Sequence, residues 1–325
     1  MFSLRRCGAG KQREEVLDET DTTWQQSVHY FRWAIQDKSI DLKFVFDIDE
    51  MCLFFCGHIG WAKHPKSIQK QRVENDHKQD KNYRKTCSLV GTAMGRVLKP
   101  VVVGKEDEDF GIDEDSGRKL RQLWAYEVPG LGKLGDLLII HSNHNGFFDT
   151  ETYCQNVMHE SIEPFAQELP IDQWALGLHD AAPTHNGFVK AKGNHEEQHF
   201  HFGTEGKPMS LKDWLRCRRV IEGRVPPGFT KFRPNDQRMF NFIFRWQYDA
   251  ALASLTNKAD FCNPGVNADV DIVLTAVAIA VHYMSQHPEC CVAAWSMGTV
   301  TTDKDYIKAG ASNLLARAKS SHAGS

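Results

Sequence analysis

Residues 41–57 read DLKFVFDIDEMCLFFCG, and this stretch decides the fold class. Phe44, Phe46 and Ile48 occupy one phase of the two-residue strand repeat, and Val45, Asp47 and Asp49 occupy the other, so apolar residues occur in both phases. A run that is apolar in both phases is typical of a strand covered on both faces. We therefore predict a buried strand here, with carboxylates near its end.

Further strands and helices follow along the chain. We predict strands in TCSLVGTAM, LKPVVVG and LLIIHS, and in the segment WALGLHD that ends at Asp180. We predict helices in TWQQSVHYFRWAIQDK, in DTETYCQNVMHESIEPFAQEL with Asp149 or Thr150 as N-cap, in NDQRMFNFIFRWQYDAALASL and at about 270–286. A few strands followed by strand–helix alternation predict an α/β domain, a mixed central sheet with helices on both faces.

Composition excludes several classes of protein. The chain has 325 residues, 41% hydrophobic content and a net charge of −3, so its overall field does not indicate a nucleic-acid binder, and any basic surface is local. Nine scattered cysteines and an N-terminus without an apolar core favour a reducing compartment. The longest apolar run, IVLTAVAIAVHYM, is too short to span a bilayer, so we expect no membrane partner.

The composition also predicts the domain boundaries. Residues 1–22 are polar and charged, which predicts a disordered N-terminal tail. The domain covers residues 23–310 and carries insertions at about 62–85 and 190–215. Residues 311–325 are predicted as a polar C-terminal tail.

Three aspartates share one type of position. Asp49 and Asp180 each end an apolar strand, and Asp236 begins a helix just after Pro234. Carboxylates at strand ends and a helix start can converge at one edge of a sheet. A few such ligands hold Mg²⁺ while leaving room for water and phosphate oxygens, and two such ions can clamp a phosphoryl displacement.

The sequence around these aspartates resembles a known family. FVFDIDEM, KTCSLVGTAMGRVLKPVVVGK, NGFFDTETYCQNVMHESIEPF, GLHDAAPTHN, VPPGFTKFRPNDQRMFNFIFRW and AVHYMSQHPECCVAAWSMG occur in the order of the conserved blocks of DDE-type transposase domains. The resemblance is to the pogo branch of the Tc1/mariner superfamily, and it spans about residues 23–300.

The resemblance implies an RNase H-like fold and a metal-dependent endonuclease or transposase. Asp49, Asp180 and Asp236 would be the catalytic metal ligands for two Mg²⁺ (or Mn²⁺) ions. The reaction would be phosphodiester cleavage or strand transfer on DNA. His185 would lie at the edge of the site and contact nucleic acid. A eukaryotic source would imply nuclear localisation, any other source a cytoplasmic one, and a homodimer is a candidate assembly.

The third ligand has a rival. The spacing from Asp180 to Asp236 is longer than is usual in the family, and by spacing alone Asp213 in LKDWL would serve. The frame of two prolines, a threonine and P-x-D favours Asp236. The family's N-terminal helix-turn-helix modules have no counterpart here, so we expect a bare catalytic domain from a fragmentary or captured element.

The insertion 62–85 is basic, with eight Lys or Arg against three Asp or Glu. Such a run is most often solvated, but in an enzyme that acts on DNA it can contact phosphates. We predict phosphate contacts from Lys63, Lys66, Lys70 and Arg72.

Two other functions stay open. A domesticated transposase domain can lose catalysis and serve as a nucleic-acid- or protein-binding module. HEEQH at 195–199 matches the H-E-x-x-H motif of zinc metalloproteases, which places both histidines on one face of a helix. The flanking glycines Gly193 and Gly203 make that helix a remote alternative.

Overall fold

The computed structural model describes residues 2–6, 22–54, 61–65, 84–105, 122–182, 185, 188–190, 197–199, 209–226, 233–256, 270–298 and 300–323. The backbone alone is described at 2–6, 22, 54, 61–65, 84, 188–190, 197–199, 238 and 321–323. Within these ranges, no helix combines the length and the apolar character needed to cross a bilayer.

The strands, in chain order, are β1 (Phe2–Arg6), β2 (Val45–Phe54), β3 (Trp61–Pro65), β4 (Arg84–Thr92), β5 (Val101–Lys105), β6 (Glu127–Val128), β7 (Gly132–Lys133), β8 (Ile139–Asn143), β9 (Ala175–Asp180), β10 (Phe188–Lys190), β11 (Glu197–His199) and β12 (Val220–Val225). The helices are α1 (Thr22–Asp37), α2 (Leu134–Leu137), α3 (Thr150–Thr152, Tyr153–Ile162 and Glu163–Gln167 in succession), α4 (Leu211–Cys217), α5 (Arg238–Phe242 and Ile243–Leu255), α6 (Val270–Gln286), α7 (Pro288–Met297), α8 (Asp303–Lys308) and α9 (Ser312–Ala323).

A six-stranded mixed sheet in the order β12-β9-β2-β4-β5-β8 forms the centre of the domain. The strands β2, β4 and β5 form an antiparallel meander, and β9 and β12 return parallel to β2 on its other side. This order and direction are those of the RNase H-like fold, to which β8 adds a strand parallel to β5 at the far edge. The predicted fold class is therefore confirmed.

Helices cover both faces of this sheet. On one face, Phe165 of α3 packs edge-to-face on Phe46 of β2, with ring centroids 5.4 Å apart. The ring of Phe46 also lies over Gly177 of β9, where a Cβ atom would come within 2.6 Å of it, so only glycine fits there. On the other face, Phe31 of α1 lies beside β12, and Phe240 of α5 packs against β4.

The predicted helices and strands are largely present. Asp149 caps α3, accepting a hydrogen bond from the backbone N–H of Thr152 at 2.7 Å, as predicted. The middle of α3 has the wider π-helical pattern, in which the N–H of Glu163 bonds the carbonyl of Met158. The strand predicted at 137–142 lies slightly later, at Ile139–Asn143.

The prediction was wrong for the C-terminal segment. Residues 311–325 were predicted as a polar tail, but Ser312–Ala323 form α9, which packs against α7. Its buried residues Leu315 and Ala318 are one helical turn apart. A stripe of two such residues is enough to dock a short helix, yet it is too narrow to stand out in a polar sequence.

The sequence reading also missed α4 and the edge strand β12. Leu211–Cys217 lies partly in the predicted insertion 190–215, and no strand was predicted at Val220–Val225. Exposed positions interrupt the apolar pattern of β12, because an edge strand is covered less completely than a central one. This strand is the one that completes the sheet beyond β9.

The predicted tail and basic insertion also contain strands. Phe2–Arg6 pair antiparallel with Trp61–Pro65, so part of the segment predicted as disordered is extended and hydrogen-bonded. At the other end of the insertion, the backbone of Arg84 begins β4 and Lys85 is buried within that strand, so the Lys85 side chain belongs to the central sheet rather than to a solvated loop.

Candidate active site

Strand β2 carries two carboxylates on one face. Asp47 and Asp49 are two residues apart, so their side chains point to the same side of the sheet. Asp47 is fully buried, and Asp49 is 8% exposed. Burial raises the pKa of Asp47, although Arg233 opposes this effect. A buried carboxylate is costly unless it is paired and hydrogen-bonded, so its partners are part of the structure of the site.

Asp180 ends the neighbouring strand at the same level. β9 runs parallel to β2 and pairs Leu178 with Asp47, so Asp180 and Asp49 each follow two residues later. The Oδ1 atom of Asp180 accepts a hydrogen bond from the backbone N–H of Ala182 at 2.9 Å, which forms the turn that leaves the strand.

Asn235 ties the segment before α5 to β2 and β4. The backbone N–H of Asn235 donates to Oδ2 of Asp47 at 3.0 Å. Its side-chain amide donates to the carbonyl of Asp47 at 2.8 Å and to that of Leu89 at 3.1 Å. These bonds hold the chain against two strands and bring Asp236 to the edge where Asp49 lies.

Asn241, in the first turn of α5, joins Asp49 to Asp236. Its Nδ2 atom lies 3.1 Å from Oδ2 of Asp49 and 3.2 Å from Oδ1 of Asp236. Its Oδ1 atom is buried and has no hydrogen-bond partner among the described residues. The residue Asp236 is exposed, but protein atoms around its carboxyl group and the negative charge of Asp49 raise its pKa to about 8.

Arg233 lies on the inner side of the same carboxylates and is 1% exposed. Its guanidinium group donates to Oδ1 of Asp47 at 2.9 Å, to Oδ1 of Asp49 at 3.1 Å and to the carbonyl of Ile48. The Nη1 atom also lies 3.9 Å from Oδ2 of Asp180. Burial disfavours the charge, but the carboxylates outweigh it and raise the pKa of Arg233, so the guanidinium is charged.

His185 holds Asp180 from the opposite side. Its Nδ1 atom lies 2.6 Å from Oδ1 of Asp180, and its Nε2 atom lies 2.9 Å from Oε1 of Glu50. The ring stacks on Tyr153 with centroids 4.1 Å apart. Burial lowers the pKa of His185, but the bonds to the two carboxylates outweigh it and raise the pKa to about 9. The same contact lowers the pKa of Asp180, against the effect of burial.

The structure thus gathers Asp49, Asp180, Asp236 and His185 at one sheet edge, and it gives the rival Asp213 a different place. Asp213 lies in the first turn of α4, where its backbone N–H bonds the hydroxyl of Ser210 at 3.1 Å and its carboxylate accepts from that hydroxyl at 2.6 Å. This arrangement is a helix cap, so Asp213 serves the helix terminus.

The predicted phosphate contacts cannot be located. Lys66, Lys70 and Arg72 lie outside the described residues, and Lys63 is described only through the backbone of β3.

The described part of the HEEQH motif does not have the form that the zinc protease alternative needs. Glu197–His199, three of the five HEEQH residues, form the strand β11 paired with β10, whereas the motif requires a helix. The other two residues of the motif lie outside the described residues.

Two central residues were missed by the sequence reading. Asp47 had a usable signal, since it shares the strand phase of Asp49. Arg233 had none, because its place in RPND says nothing about burial, and a lone arginine beside a proline is ordinarily exposed.

The donor chemistry fits a hard divalent cation on one side of the cluster. Mg²⁺ and Mn²⁺ prefer carboxylate and amide oxygens, and Asp49, Asp236 and the unpartnered Oδ1 of Asn241 supply them. On the Asp180 side, the nearest charges to the carboxylate are already cations. Among the described residues, no three His, Cys, Asp or Glu side chains are grouped as a ready metal site.

Among the comparisons with known proteins, the search of solved structures is the one that finds proteins similar to this chain. No protein-family model matches the chain, and no curated protein matches it. The chain is similar to a Mos1 transposase paired-end complex with left transposon end, at 13% identity and a TM-score of 0.37, over 91% of this chain and 67% of that one. It is also similar to the catalytic domain of Mos1 mariner transposase, at 13% identity and a TM-score of 0.34, over 85% and 92%. The fold assignment rests on the strand order described above rather than on this likeness.

Proposed function

We propose that this domain cleaves or transfers phosphodiester bonds of DNA with the help of a divalent metal, as DDE-type transposases of the Tc1/mariner superfamily do. The observation that carries the proposal is the meeting of Asp49, Asp180 and Asp236 at one edge of an RNase H-like sheet. The sequence resemblance points to the same three residues and supports the proposal independently.

The residues of the site divide the work. Asp49 and Asp236 would hold Mg²⁺ or Mn²⁺, and a divalent ion bound there would supply activation of a water or hydroxyl and neutralisation of negative charge. His185 orients Asp180 and keeps it ionised, because the histidine is positively charged at neutral pH. Asn235 fixes the approach of the chain that carries Asp236. No side-chain nucleophile is required.

A nicking assay with supercoiled plasmid and Mg²⁺ or Mn²⁺ tests this function. Asp49→Asn, Asp180→Asn and Asp236→Asn should each abolish cleavage while the protein folds. A double substitution should reduce the rate little further, because residues that act as a unit are not additive. Asp213→Asn is the matched control, since it removes a carboxylate from a helix cap. Equal activity in all four variants would mean that the nuclease is a contaminant.

DNA binding is tested separately. The substitutions Lys63→Ala, Lys66→Ala, Lys70→Ala and Arg72→Ala together should weaken affinity for any DNA sequence and reduce its salt dependence, because counterion release scales with the phosphates contacted. A double Lys304→Ala, Lys308→Ala variant in α8 controls for the loss of surface charge. Unchanged binding at low salt in the fourfold variant would show that the insertion is solvated.

A second candidate function is a binding module without catalysis. It is favoured by one observation: Arg233 and His185 already compensate Asp49 and Asp180. Salt-sensitive DNA binding with no metal-dependent nicking in any variant would select it. For either function we propose a nuclear location in a eukaryotic source and a cytoplasmic one otherwise, with a homodimer as the assembly to test by light scattering.

A further inference from the structure

The two oxygens of each carboxylate in the site have different partners. Oδ1 of Asp49 faces the guanidinium of Arg233 at 3.1 Å, whereas Oδ2 faces the amide of Asn241. An amide is neutral, so the charge on the Asn241 side is not compensated. The inner side of Asp49 is therefore bound to a cation within the protein, and its outer side, shared with Asp236, is not.

Arg233 has the contacts that a shared cation would have between Asp49 and Asp180. Its Nη1 atom lies 3.1 Å from one carboxylate and 3.9 Å from the other. The side chain is 1% exposed and anchored by Asp47 and the carbonyl of Ile48, so it cannot swing into solvent without leaving Asp47 buried and unpaired. The guanidinium is a fixed part of the site.

Asn241 supplies an independent indication of a ligand on the other side. The residue is 9% exposed, and its buried Oδ1 has no hydrogen-bond partner among the described residues. A buried amide oxygen without a partner is unusual in a native protein. Rotating the amide by half a turn exchanges Nδ2 for Oδ1 and turns a donor between Asp49 and Asp236 into an oxygen ligand beside them.

Formal charge agrees with this asymmetry in the DNA-free protein. With all five carboxylates ionised, as metal binding requires, Asp47, Asp49, Glu50, Asp180 and Asp236 carry five negative charges. Among the described residues, Arg233 and His185 are the cations paired with them, which leaves an excess of three negative charges. One divalent ion leaves an excess of one negative charge. Two would reverse the sign of the cluster.

We propose that the DNA-free site binds one divalent cation rather than two, on the side of Asp49, Asp236 and Asn241, and that Arg233 acts as a tethered cation between Asp49 and Asp180. The inference deepens the proposed function in that it concerns the metal of the same site. It predicts that the number of bound ions is set by an arginine in the protein rather than by the three aspartates alone.

Counting bound Mn²⁺ tests the proposal without DNA or activity. Titration of the purified chain at pH 7.5, followed by calorimetry and by the electron paramagnetic resonance signal of free Mn²⁺, should give one ion per chain. Two ions of similar affinity, or none, would overturn the proposal. Two ions would leave the proposed function intact, and one ion with no DNA cleavage would overturn only that function.

The double variant Asp47→Asn, Arg233→Gln removes the tethered cation together with its buried partner, so that no unpaired buried charge remains. It should bind a second Mn²⁺ ion, because Asp49 and Asp180 lose their fixed cation. The matched control is Glu163→Gln, Arg218→Gln, which removes another partly buried ion pair outside the site and should keep one ion. One ion in both double variants would contradict the role given to Arg233.

Single aspartate variants decide the location even if the double variant does not fold. Asp236→Asn should weaken Mn²⁺ binding by more than about tenfold, because it removes a ligand charge. Asp180→Asn should change the affinity by less than about threefold, since this carboxylate is bound to His185 and Arg233. The reverse order would place the ion on the Asp180 side and refute the assignment.

Discussion

Asp180 and Asp236 lie at one edge of the sheet, but their surroundings differ. His185 and Arg233 flank Asp180, and its pKa is lowered. Asp236 has the neutral amide of Asn241 and the charge of Asp49 beside it, and its pKa is raised to about 8. One carboxylate is therefore fixed and ionised by cations in contact with it. The other forms no ion pair within the described residues, and Arg233 acts on it only from a distance. Residues of one chemical type, brought together by one fold, are thus prepared for different tasks.

The largest expected effect is on stability, and it comes from replacing Arg233, the buried cation that contacts Asp47, Asp49 and Asp180. Arg233→Met leaves Asp47 buried without its cation, and we expect a loss of about 3–5 kcal/mol in the free energy of unfolding, as for other broken buried pairs. Denaturant titration measures it. Asp47→Asn combined with Arg233→Met should recover most of the loss. A single variant as stable as wild type would mean that water reaches Asp47.

The second prediction concerns protons on the Asp236 side. A carboxylate must be ionised to bind a metal, so the affinity for Mn²⁺ should rise by up to about tenfold for each pH unit between pH 6 and 8, and should level off above the pKa of Asp236. Calorimetry over that pH range measures the change. Asp180→Asn should keep this dependence. An affinity that does not change with pH in wild type would show that Asp236 is already ionised at pH 6.

The third prediction concerns the Asp180 side. His185→Gln removes a buried cation from two carboxylates, and we expect a loss of about 2 kcal/mol in unfolding free energy near pH 6. Because the folded pKa of His185 is raised from 6.5 to about 9, its contribution is complete below pH 6.5 and is lost as pH rises through 9. The gap between the two proteins should therefore close at high pH. A gap that widens there would mean that the histidine is neutral.

The smallest expected effect on stability comes from an ion pair outside the cluster, and it provides a reference for the larger effects. Glu163 of α3 accepts from Nε of Arg218 at 2.9 Å and contacts His159 at 2.7 Å, and its pKa is lowered because these partners outweigh burial. Glu163→Gln should cost about 1 kcal/mol at pH 7. The lowered pKa means that this contribution is present above pH 4.5 and is lost as pH falls below it.

Glu168→Gln is the control for that variant. Its exposed pair with Arg96 should contribute less than about 0.5 kcal/mol, because water screens it. Thermal melts at pH 7 and pH 3 compare the two variants. An equal loss at both pH values for Glu163→Gln would point to packing rather than charge.

A feature of this fold could be predicted from the sequence when its signal lies in neighbouring residues, and not when it depends on contacts between distant segments. The strands β2 and β9 were readable, because a two-residue repeat is a local pattern, and Asp180 ends β9 as predicted. Asp49 was predicted near the end of its strand, but it lies in the middle of β2 (Val45–Phe54), because the strand continues past it in its pairing with β4. The edge strand β12 was not readable, because its polar side chains are stabilised by residues on the neighbouring strand, which the local sequence does not show. His179, for example, lies 3.2 Å from Glu222 across the two strands.

The same reasoning explains why Asp47 and Arg233 were not predicted as residues of the site. Asp47 was visible as a second carboxylate in the phase of Asp49, but its importance comes from full burial, which no local pattern reports. Arg233 contacts residues 184 and 186 positions away in the sequence. Such partners are determined by the topology of the sheet, so a single sequence indicates the candidate carboxylates of the site and not its internal cation.

The pairing of Asp47 with Arg233 also constrains how the chain is made. Asp47 leaves the ribosome about 10–40 s before residue 233 at ordinary rates of synthesis, so for that interval it lacks the cation of Arg233. During that interval a native core around β2 would enclose an uncompensated charge. The first half of the domain should therefore stay loosely packed, and its folding should be completed by the arrival of the segment before α5. Stalled chains that end before and after this segment would differ sharply in resistance to proteases.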